Sequence, residues 1–144
     1  MALKVELKPG ERIVIGTAVV RNGESRTRFF IDGQAPILRE KDILTAATAD
    51  TPARRVYLAV QLMYLASDVR PHSEVYFELV NEFLSAAPSA IPLVAEINNR
   101  ILSGELYKAL RSARQLIAYE QELMDGASGG GRVRQDSAGD AIAS

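Results

Sequence analysis

The sequence predicts an α+β fold, with a small antiparallel β-module of about five strands at residues 1–44 and a domain of four helices at residues 51–124. Apolar and polar side chains alternate at residues 4–8, which is the period of a strand with one buried face, and residues 12–15 are interpreted as a strand of the same kind. After Thr51 the apolar residues recur three and four positions apart, which is the period of an amphipathic helix. This change of period separates the two parts.

The strands of the β-module are bounded by residues that favour turns. Asn22-Gly23 is a strong hairpin signal, and Pro9-Gly10 separates the first two strands. We expect a meander, in which each strand pairs with the next. A unit of about 40 residues rarely stabilises itself, so it should pack on a helix or form a homodimer. The expected strands span residues 3–8, 12–16, 17–21, 26–32 and 37–39.

The helices are marked by their ends. Thr51-Pro52 supplies an N-cap followed by a first-turn proline, and Ser103-Gly104 breaks the chain before the last helix. We expect residues 125–144 to form a disordered tail, because they lack aromatic side chains and have too few large aliphatic ones to offset their ordering entropy. The expected helices span residues 52–66, 73–85, 89–102 and 105–124.

The composition lacks the residue types that most catalytic and metal sites require. There is no cysteine and His72 is the only histidine, which argues against thiolate metal sites, cysteine nucleophiles and a serine triad. Glu74, Glu78 and Glu82 share one helix face, and a solvated surface is a simpler interpretation of them than a metal stripe. We therefore predict a protein that is not an enzyme and needs neither metal nor cofactor.

The sequence also lacks membrane signals. Lys4 and Glu6 stand where a signal peptide has its apolar core, and no uninterrupted apolar run approaches the roughly 18 residues of a membrane span. We therefore expect a cytoplasmic protein with no membrane partner.

The β-module is mildly basic. Residues 1–43 hold 8 Lys and Arg against 6 Asp and Glu, whereas the whole chain has a net charge of −1. Arg26, Arg28 and Phe30 share one face of the fourth strand, because side chains alternate along a strand. Guanidinium groups beside an aromatic ring suit single-stranded RNA, whose phosphates attract cations and whose bases stack on flat surfaces. The candidate RNA-binding residues are Lys4, Lys8, Arg12, Arg26, Arg28, Phe30 and Arg39.

A simpler interpretation of the same cations stays open. Basic side chains on an outward face keep a small sheet in solution and discourage edge pairing. Glu6 and Glu11 interrupt the basic face and favour this alternative.

Two further basic groups lie in the helical domain. Arg54 and Arg55 stand in the first turn of the first helix, where a cation opposes the helix dipole and forgoes about 0.3–1 kcal/mol. We interpret them as candidate partner-binding residues. Lys108, Arg111 and Arg114 on the fourth helix are expected to pair within the chain. Lys108 and Arg111 share a face, and the glutamates of the second helix are candidate partners for them.

Motifs spread over residues 1–124 point to a known family. They are Leu7-Lys8-Pro9-Gly10-Glu11-Arg12, Val20-Arg21-Asn22-Gly23, Leu38-Arg39-Glu40-Lys41-Asp42-Ile43, Thr51-Pro52-Ala53-Arg54-Arg55-Val56-Tyr57, Met63-Tyr64-Leu65, Tyr107-Lys108-Ala109-Leu110 and Tyr119-Glu120. Together they resemble the FlbT flagellum biosynthesis repressors of alphaproteobacteria. The resemblance implies control of flagellin through the untranslated leader of its messenger RNA, alongside the small flagellar regulator FlaF.

A second resemblance concerns the β-module alone. Its residues 10–16, Ala35-Pro36 and Arg39-Glu40 resemble the order of motifs in CsrA, a family of dimeric RNA-binding translational regulators. By position, Arg39 matches the arginine with which that family's final strand contacts RNA. The resemblance implies a CsrA-like module used for RNA binding, for pairing with a second copy, or for a protein partner.

Two functions are compatible with these features. The first is a regulator that binds the flagellin mRNA leader and represses translation or promotes mRNA decay. The second is a protein-interaction adaptor in flagellum assembly, whose helical domain binds FlaF or flagellin and affects mRNA indirectly.

Overall fold

The computed structural model describes residues 2–128 and has the α+β fold that the sequence predicts. Each strand begins and ends within one residue of its expected position. The strands are β1 (Ala2–Leu7), β2 (Arg12–Ile15), β3 (Ala18–Arg21), β4 (Thr27–Asp32) and β5 (Ile37–Arg39).

The strands form two antiparallel sheets, and the predicted meander is wrong. β1 pairs with β4, while β2 lies between β3 and β5. Asn22 explains the difference, because its Nδ2 donates to the carbonyl oxygens of Leu7 and Lys8 at 3.2 and 2.8 Å. The Gly10 N–H also donates to the Gly23 carbonyl oxygen at 2.9 Å. These bonds hold the turn after β3 against the end of β1, so β4 continues along β1 instead of folding back on β3.

The central strand β2 is buried on both faces, so the single buried face expected for residues 12–15 is wrong. Ile13 clusters with Val5 and Leu7 of β1, and all three side chains are at most 1% exposed. Val14 faces the other way and joins Leu38 in the helical core. Full burial of a side chain of this size contributes about 1.5–3 kcal/mol. Packing on helices within one chain therefore stabilises the small β-module, and the division into separate domains stays a prediction.

The helical domain is centred on α1, which contacts both α2 and α4. Its helices are α1 (Pro52–Ala66), α2 (Ser73–Ala86), α3 (Ile91–Leu102) and α4 (Leu106–Ser128). α3 and α4 pack together as a hairpin. Between them Gly104 has a φ of +77°, and the Glu105 N–H donates to the Arg100 carbonyl oxygen at 2.8 Å. This left-handed residue ends α3, as the Ser103-Gly104 break predicts.

α4 extends past its expected end at residue 124. Residues 125–128 are helical and not part of a disordered tail, so the predicted boundary is wrong by one helical turn. The Gln121 Nε2 donates to the Asp125 Oδ1 at 3.0 Å across this turn and supports it. The rest of the expected tail, residues 129–144, lies outside the described residues.

Side chains of α1 bind the backbone of the segment that connects it to the β-module. The buried Gln61 accepts from the Leu44 N–H and donates to the Leu44 carbonyl oxygen, each at 2.9 Å. The Tyr64 hydroxyl accepts from the Ile37 N–H and donates to the Ile37 carbonyl oxygen, each at 3.0 Å. The two residues are three positions apart and therefore share a helix face. They fix β5 and the connecting segment to α1.

α4 contributes one carboxylate and one guanidinium group to this junction. The Glu120 Oε2 accepts from the Ala53 N–H at 3.0 Å, which places a buried carboxylate at the positive end of α1. The Arg114 Nη2 donates to the Asp42 Oδ1 at 2.6 Å, and the Tyr57 hydroxyl donates to the Asp42 carbonyl oxygen at 2.5 Å. Burial raises the pKa of the Tyr57 hydroxyl, and its bond to Arg114 partly offsets that rise.

Candidate nucleic-acid interface

An open groove with a volume of about 520 Å³ lies on the β-module. Five cations and two carboxylates line it, which gives the lining a net charge of +3. We call this surface the basic groove. It is lined by Lys4, Glu6, Lys8, Glu11, Arg26, Arg39 and Lys41.

Six of the seven predicted RNA-binding residues lie in or beside the basic groove. In the β1–β4 register Arg28 lies opposite Glu6, and Phe30 lies opposite Lys4. Phe30 is 62% exposed, whereas Phe29 on the opposite face is half-buried against the β-module core. β4 therefore presents an aromatic ring next to cations, as the alternation predicts. The four predicted residues that line the groove itself are Lys4, Lys8, Arg26 and Arg39.

Arg39 is held in place by β1. Its Nη2 donates to the Glu6 carbonyl oxygen at 2.8 Å, and its side chain is half-buried. One Nη2–H of the guanidinium is thus bound by the protein, while the group still lines the groove. Because this bond already holds the guanidinium in position, ligand binding does not have to order the Arg39 side chain.

The carboxylate of Glu6 lies between two cations without binding either tightly. Its Oε2 is 3.9 Å from the Lys4 Nζ and 3.7 Å from the Arg28 Nε, and all three side chains are about half exposed. Exposed pairs of this kind contribute about 0–1 kcal/mol. A phosphate that approaches Lys4 or Arg28 therefore competes with a weak ion pair.

The second carboxylate of the groove is committed to the backbone. The Glu11 Oε1 accepts from the Lys8 N–H at 2.8 Å across the turn between β1 and β2. Its negative charge therefore has a structural role in this turn.

Arg12 lies apart from the other predicted residues. Its N–H donates to the Glu40 Oε1 at 2.6 Å, and its Nε is 3.5 Å from the same oxygen. Arg12 also faces Arg21 across the β2–β3 ladder. The residue therefore stabilises the turn after β5 and does not line the basic groove.

Lys41 lines the basic groove but was not among the predicted residues. It lies in the short 3-10 helix Glu40–Asp42, which follows β5 directly. The sequence shows it two positions after Arg39. That proximity was the available signal, but strand parity does not apply within a 3-10 turn.

The two predicted partner-binding residues on α1, Arg54 and Arg55, differ in their contacts. The Arg54 Nη1 donates to the Asp50 Oδ1 at 2.9 Å, and the Arg54 N–H donates to the Oγ1 of the N-cap Thr51 at 3.2 Å. Arg55 is exposed and has no ion pair within residues 2–128. Arg55 therefore lies at the positive end of α1 without an ion pair of its own in the described part of the chain.

Lys108 and Arg114 of α4 pair within the chain, as expected, but their partners are not the glutamates of α2. The Lys108 Nζ lies 3.2 Å from the Glu105 Oε2, and Arg114 binds Asp42. α4 packs chiefly on α1 and α3, so its cations lie away from the outer face of α2. Nearby guanidinium and ammonium groups of Arg100 and Lys108 hold the pKa of the Glu105 carboxyl below its usual value.

The part of the chain that the structure describes contains neither a metal-binding cluster nor a membrane-spanning helix. Within residues 2–128, no three His, Asp or Glu side chains lie together in a group that could hold a metal ion. No helix in this part is both long and apolar enough to cross a membrane.

Comparison with known proteins places the chain in a family. The family model described as "Flagellar protein FlbT" matches residues 3–124. A probable flagellum biosynthesis repressor protein FlbT 1 from Bradyrhizobium diazoefficiens is 56% identical over 124 residues, with 85% of each chain covered. A flagellum biosynthesis repressor protein FlbT from Caulobacter vibrioides is 38% identical over 133 residues, with 90% of this chain and 94% of the relative covered. No solved structure gives a significant match. The chain therefore belongs to the FlbT family of flagellar proteins.

Proposed function

We propose that this chain regulates flagellin after transcription, by binding the untranslated leader of flagellin mRNA through the basic groove. Bound there, it represses translation by blocking the ribosome or promotes decay of the message. One observation carries the proposal: a groove with a net charge of +3 and the exposed ring of Phe30 lie on one face of the β-module. The names of the relatives, which describe repressors of flagellum biosynthesis, support a regulatory role.

The arrangement of this face suits a single strand of RNA. Lys4 lies on β1, Lys8 directly follows β1 and Arg26 directly precedes β4, so cations are spaced along this face of the β-module. Spaced cations can contact successive phosphates of an extended RNA strand. An unstacked base can stack on an exposed aromatic ring such as Phe30. Arg39 adds a guanidinium whose position is already fixed. Binding requires no covalent chemistry, which agrees with the regulatory rather than enzymatic character of the family.

The charge of the groove sets the expected salt dependence. Contact with about four phosphates gives a slope of about −3 for the logarithm of affinity against the logarithm of salt concentration. The net charge of the whole chain is −1, which keeps nonspecific attraction to nucleic acid weak. Selectivity for a leader must therefore come from the groove and its ring.

Filter binding of purified protein to a flagellin leader RNA tests the proposal. We expect Arg26→Glu combined with Lys41→Glu to weaken affinity about tenfold or more at low salt, because two phosphate contacts become repulsive. Arg111→Glu is the matched control, since it reverses an exposed cation on α4 that has no ion pair among the residues described. Equal affinities for the double variant and the control would show that RNA, if bound, does not use the basic groove.

Homodimerisation through the β-module is a further part of the proposal. All four side chains of the edge strand β3 are exposed, including Val19 at 64%. An exposed apolar edge strand is a surface on which a second copy can pair. Sedimentation equilibrium should give about twice the chain mass of 15.7 kDa for the native protein and the single mass for Val19→Lys. A monomeric native protein rules this part out.

The second candidate is an adaptor that binds FlaF or flagellin through the helical domain. Arg55 favours it, because this exposed cation lacks an ion pair within the described range. The two candidates differ in the filter-binding assay. An adaptor that affects mRNA indirectly shows no salt-dependent binding to the leader.

A further inference from the structure

A second groove, with a volume of about 340 Å³, lies between α1 and α2 on the surface of the helical domain. Leu62 is 42% exposed and Val75 is 53% exposed, although both are large apolar side chains. Nothing in the described part of the chain covers them. We call this surface the helical groove. It is lined by Arg55, Leu58, Ala59, Leu62, His72, Val75 and Leu79.

The helical groove adjoins the core, because Ala59 and Leu79 line the groove and also pack in the helical core. On α1 the core residues include Val56 and Val60, whereas Leu58 and Leu62 line the groove. Leu58 and Leu62 are four residues apart on α1, and Val75 and Leu79 are four residues apart on α2. Residues at this spacing form ridges along a helix, and the space between two such ridges accepts the ridge of a third helix.

The two sides of the helical groove carry opposite charges. Arg55 lies on the α1 side, at the positive end of that helix, and has no ion pair within residues 2–128. On the α2 side, Glu78 and Glu82 follow Val75 and Leu79 by three positions and are exposed. They therefore neighbour the groove on its outer side. They too have no ion pair in the described residues.

We propose that the helical groove binds an amphipathic helix of a second protein. Its apolar residues, spaced three and four apart, lie between α1 and α2. A carboxylate on one flank faces Arg55, and a Lys or Arg on the other flank faces Glu78 and Glu82. This interaction is independent of RNA binding by the basic groove, which lies on the β-module.

Charge and shape favour this occupant over the alternatives. A helix with opposite charges on its two flanks matches a groove with opposite charges on its two sides, whereas an anionic lipid surface would be repelled by Glu78 and Glu82. A second copy of the same groove would bring two concave surfaces together and leave unfilled space between them. The convex apolar face of a helix fills the groove.

Fluorescence anisotropy with designed peptides tests the proposal on the full chain. The probe is a labelled helical peptide with leucines at the i, i+4, i+7 and i+11 positions, glutamates on one flank and lysines on the other. A control peptide carries the same residues with the leucines dispersed around the helix. We expect the amphipathic peptide to bind and the dispersed peptide not to bind.

Protein variants locate the binding. Leu62→Lys should weaken binding on the order of tenfold, because a cation enters the centre of the groove. Leu62→Met should retain it, since the volume and the apolar character are kept. Leu102→Lys is the matched surface control, because Leu102 is 84% exposed at the end of α3. Thermal melting checks that every variant is folded.

A charge exchange tests the complementarity itself. Arg55→Glu should weaken the glutamate-flanked peptide about three- to fivefold, and a peptide with lysines on that flank should regain the loss. Binding that ignores Leu62→Lys, or a preference that does not reverse with Arg55→Glu, overturns the proposal. A dimer that Leu62→Lys dissociates also overturns it, because a second copy would then occupy the groove. RNA affinity should be the same for Leu62→Lys and the native protein, which keeps this result distinct from the test of the basic groove.

Discussion

Gln61 provides the sharpest test of how the two parts of the chain are joined. Its side chain is 4% exposed and makes a pair of 2.9 Å hydrogen bonds to the N–H and carbonyl oxygen of Leu44. Gln61→Met keeps a similar side-chain volume, but the thioether cannot donate a hydrogen bond and accepts one only weakly. Both Leu44 backbone groups then lose their partner in a confined position.

The magnitude follows from the two groups left unsatisfied. Each unsatisfied buried backbone group costs about 1–3 kcal/mol. Leu44 is half-buried, so water reaches it in part and the cost lies near the lower end of that range. We expect the free energy of unfolding to fall by about 2 kcal/mol for the two groups together.

Urea unfolding followed by circular dichroism measures this change. The midpoint should shift while the slope against urea stays constant, because the native fold and its buried area are kept. Gln115→Met is the control, since Gln115 is an exposed glutamine in α4 and its replacement should alter stability by less than about 0.5 kcal/mol. If the two variants unfold at the same urea concentration, the bonds to Leu44 do not join α1 to the connecting segment.

Three further predictions concern the cap of α1, the exposed ring and the buried hydroxyls. Glu120→Ala should lower the free energy of unfolding by about 1–2 kcal/mol in chemical denaturation, because the Ala53 N–H loses its carboxylate acceptor; an unchanged midpoint contradicts the capping role. Phe30→Ala should leave the melting temperature nearly unchanged but weaken RNA affinity by about 1–3 kcal/mol per stacked base; equal affinities would exclude stacking on this ring. Burial raises the pKa of three tyrosine hydroxyls above the ordinary 10.0, so their stabilising effect is complete below that pH and is lost as pH rises through the higher folded-state values. In an alkaline titration they should ionise together with unfolding seen by circular dichroism, and ionisation that clearly precedes unfolding would show that they are accessible. These hydroxyls belong to Tyr57, Tyr64 and Tyr76.

Local pattern predicted the elements of the fold well, because the elements depend on local chemistry. The Thr51-Pro52 signal places the start of α1 correctly, and the Thr51 Oγ1 does accept from the Arg54 N–H. Strand parity placed Phe30 outside and Phe29 inside for the same reason, since alternation is a property of the strand itself.

Pairing between elements was not predictable in the same way. The sheet order depends on Asn22, whose side chain bonds to Leu7 and Lys8 across 15 and 14 positions in the chain. A turn residue that binds a distant backbone group has the same local signature as one that closes a hairpin. Lys41 was missed for a related reason, because a 3-10 turn and not a strand brings it to the basic groove.

The helical groove shows the same limit on one helix. The apolar spacing after Thr51 predicts a helix with a buried face, but it does not show that Leu58 and Leu62 lie outside the core cluster that contains Val56 and Val60. The position of α2 beside α1 decides which apolar side chains of α1 are buried in the core and which line the groove.

The salt dependence of binding to a flagellin leader RNA tests the central claim most directly. With the native protein we expect the logarithm of affinity to fall linearly against the logarithm of salt concentration with a slope of about −3. Lys41→Ala should reduce that slope by about 0.7, because one phosphate contact is lost. A leader that does not bind, or a slope that the removal of groove cations leaves unchanged, would contradict the assignment of RNA binding to the basic groove.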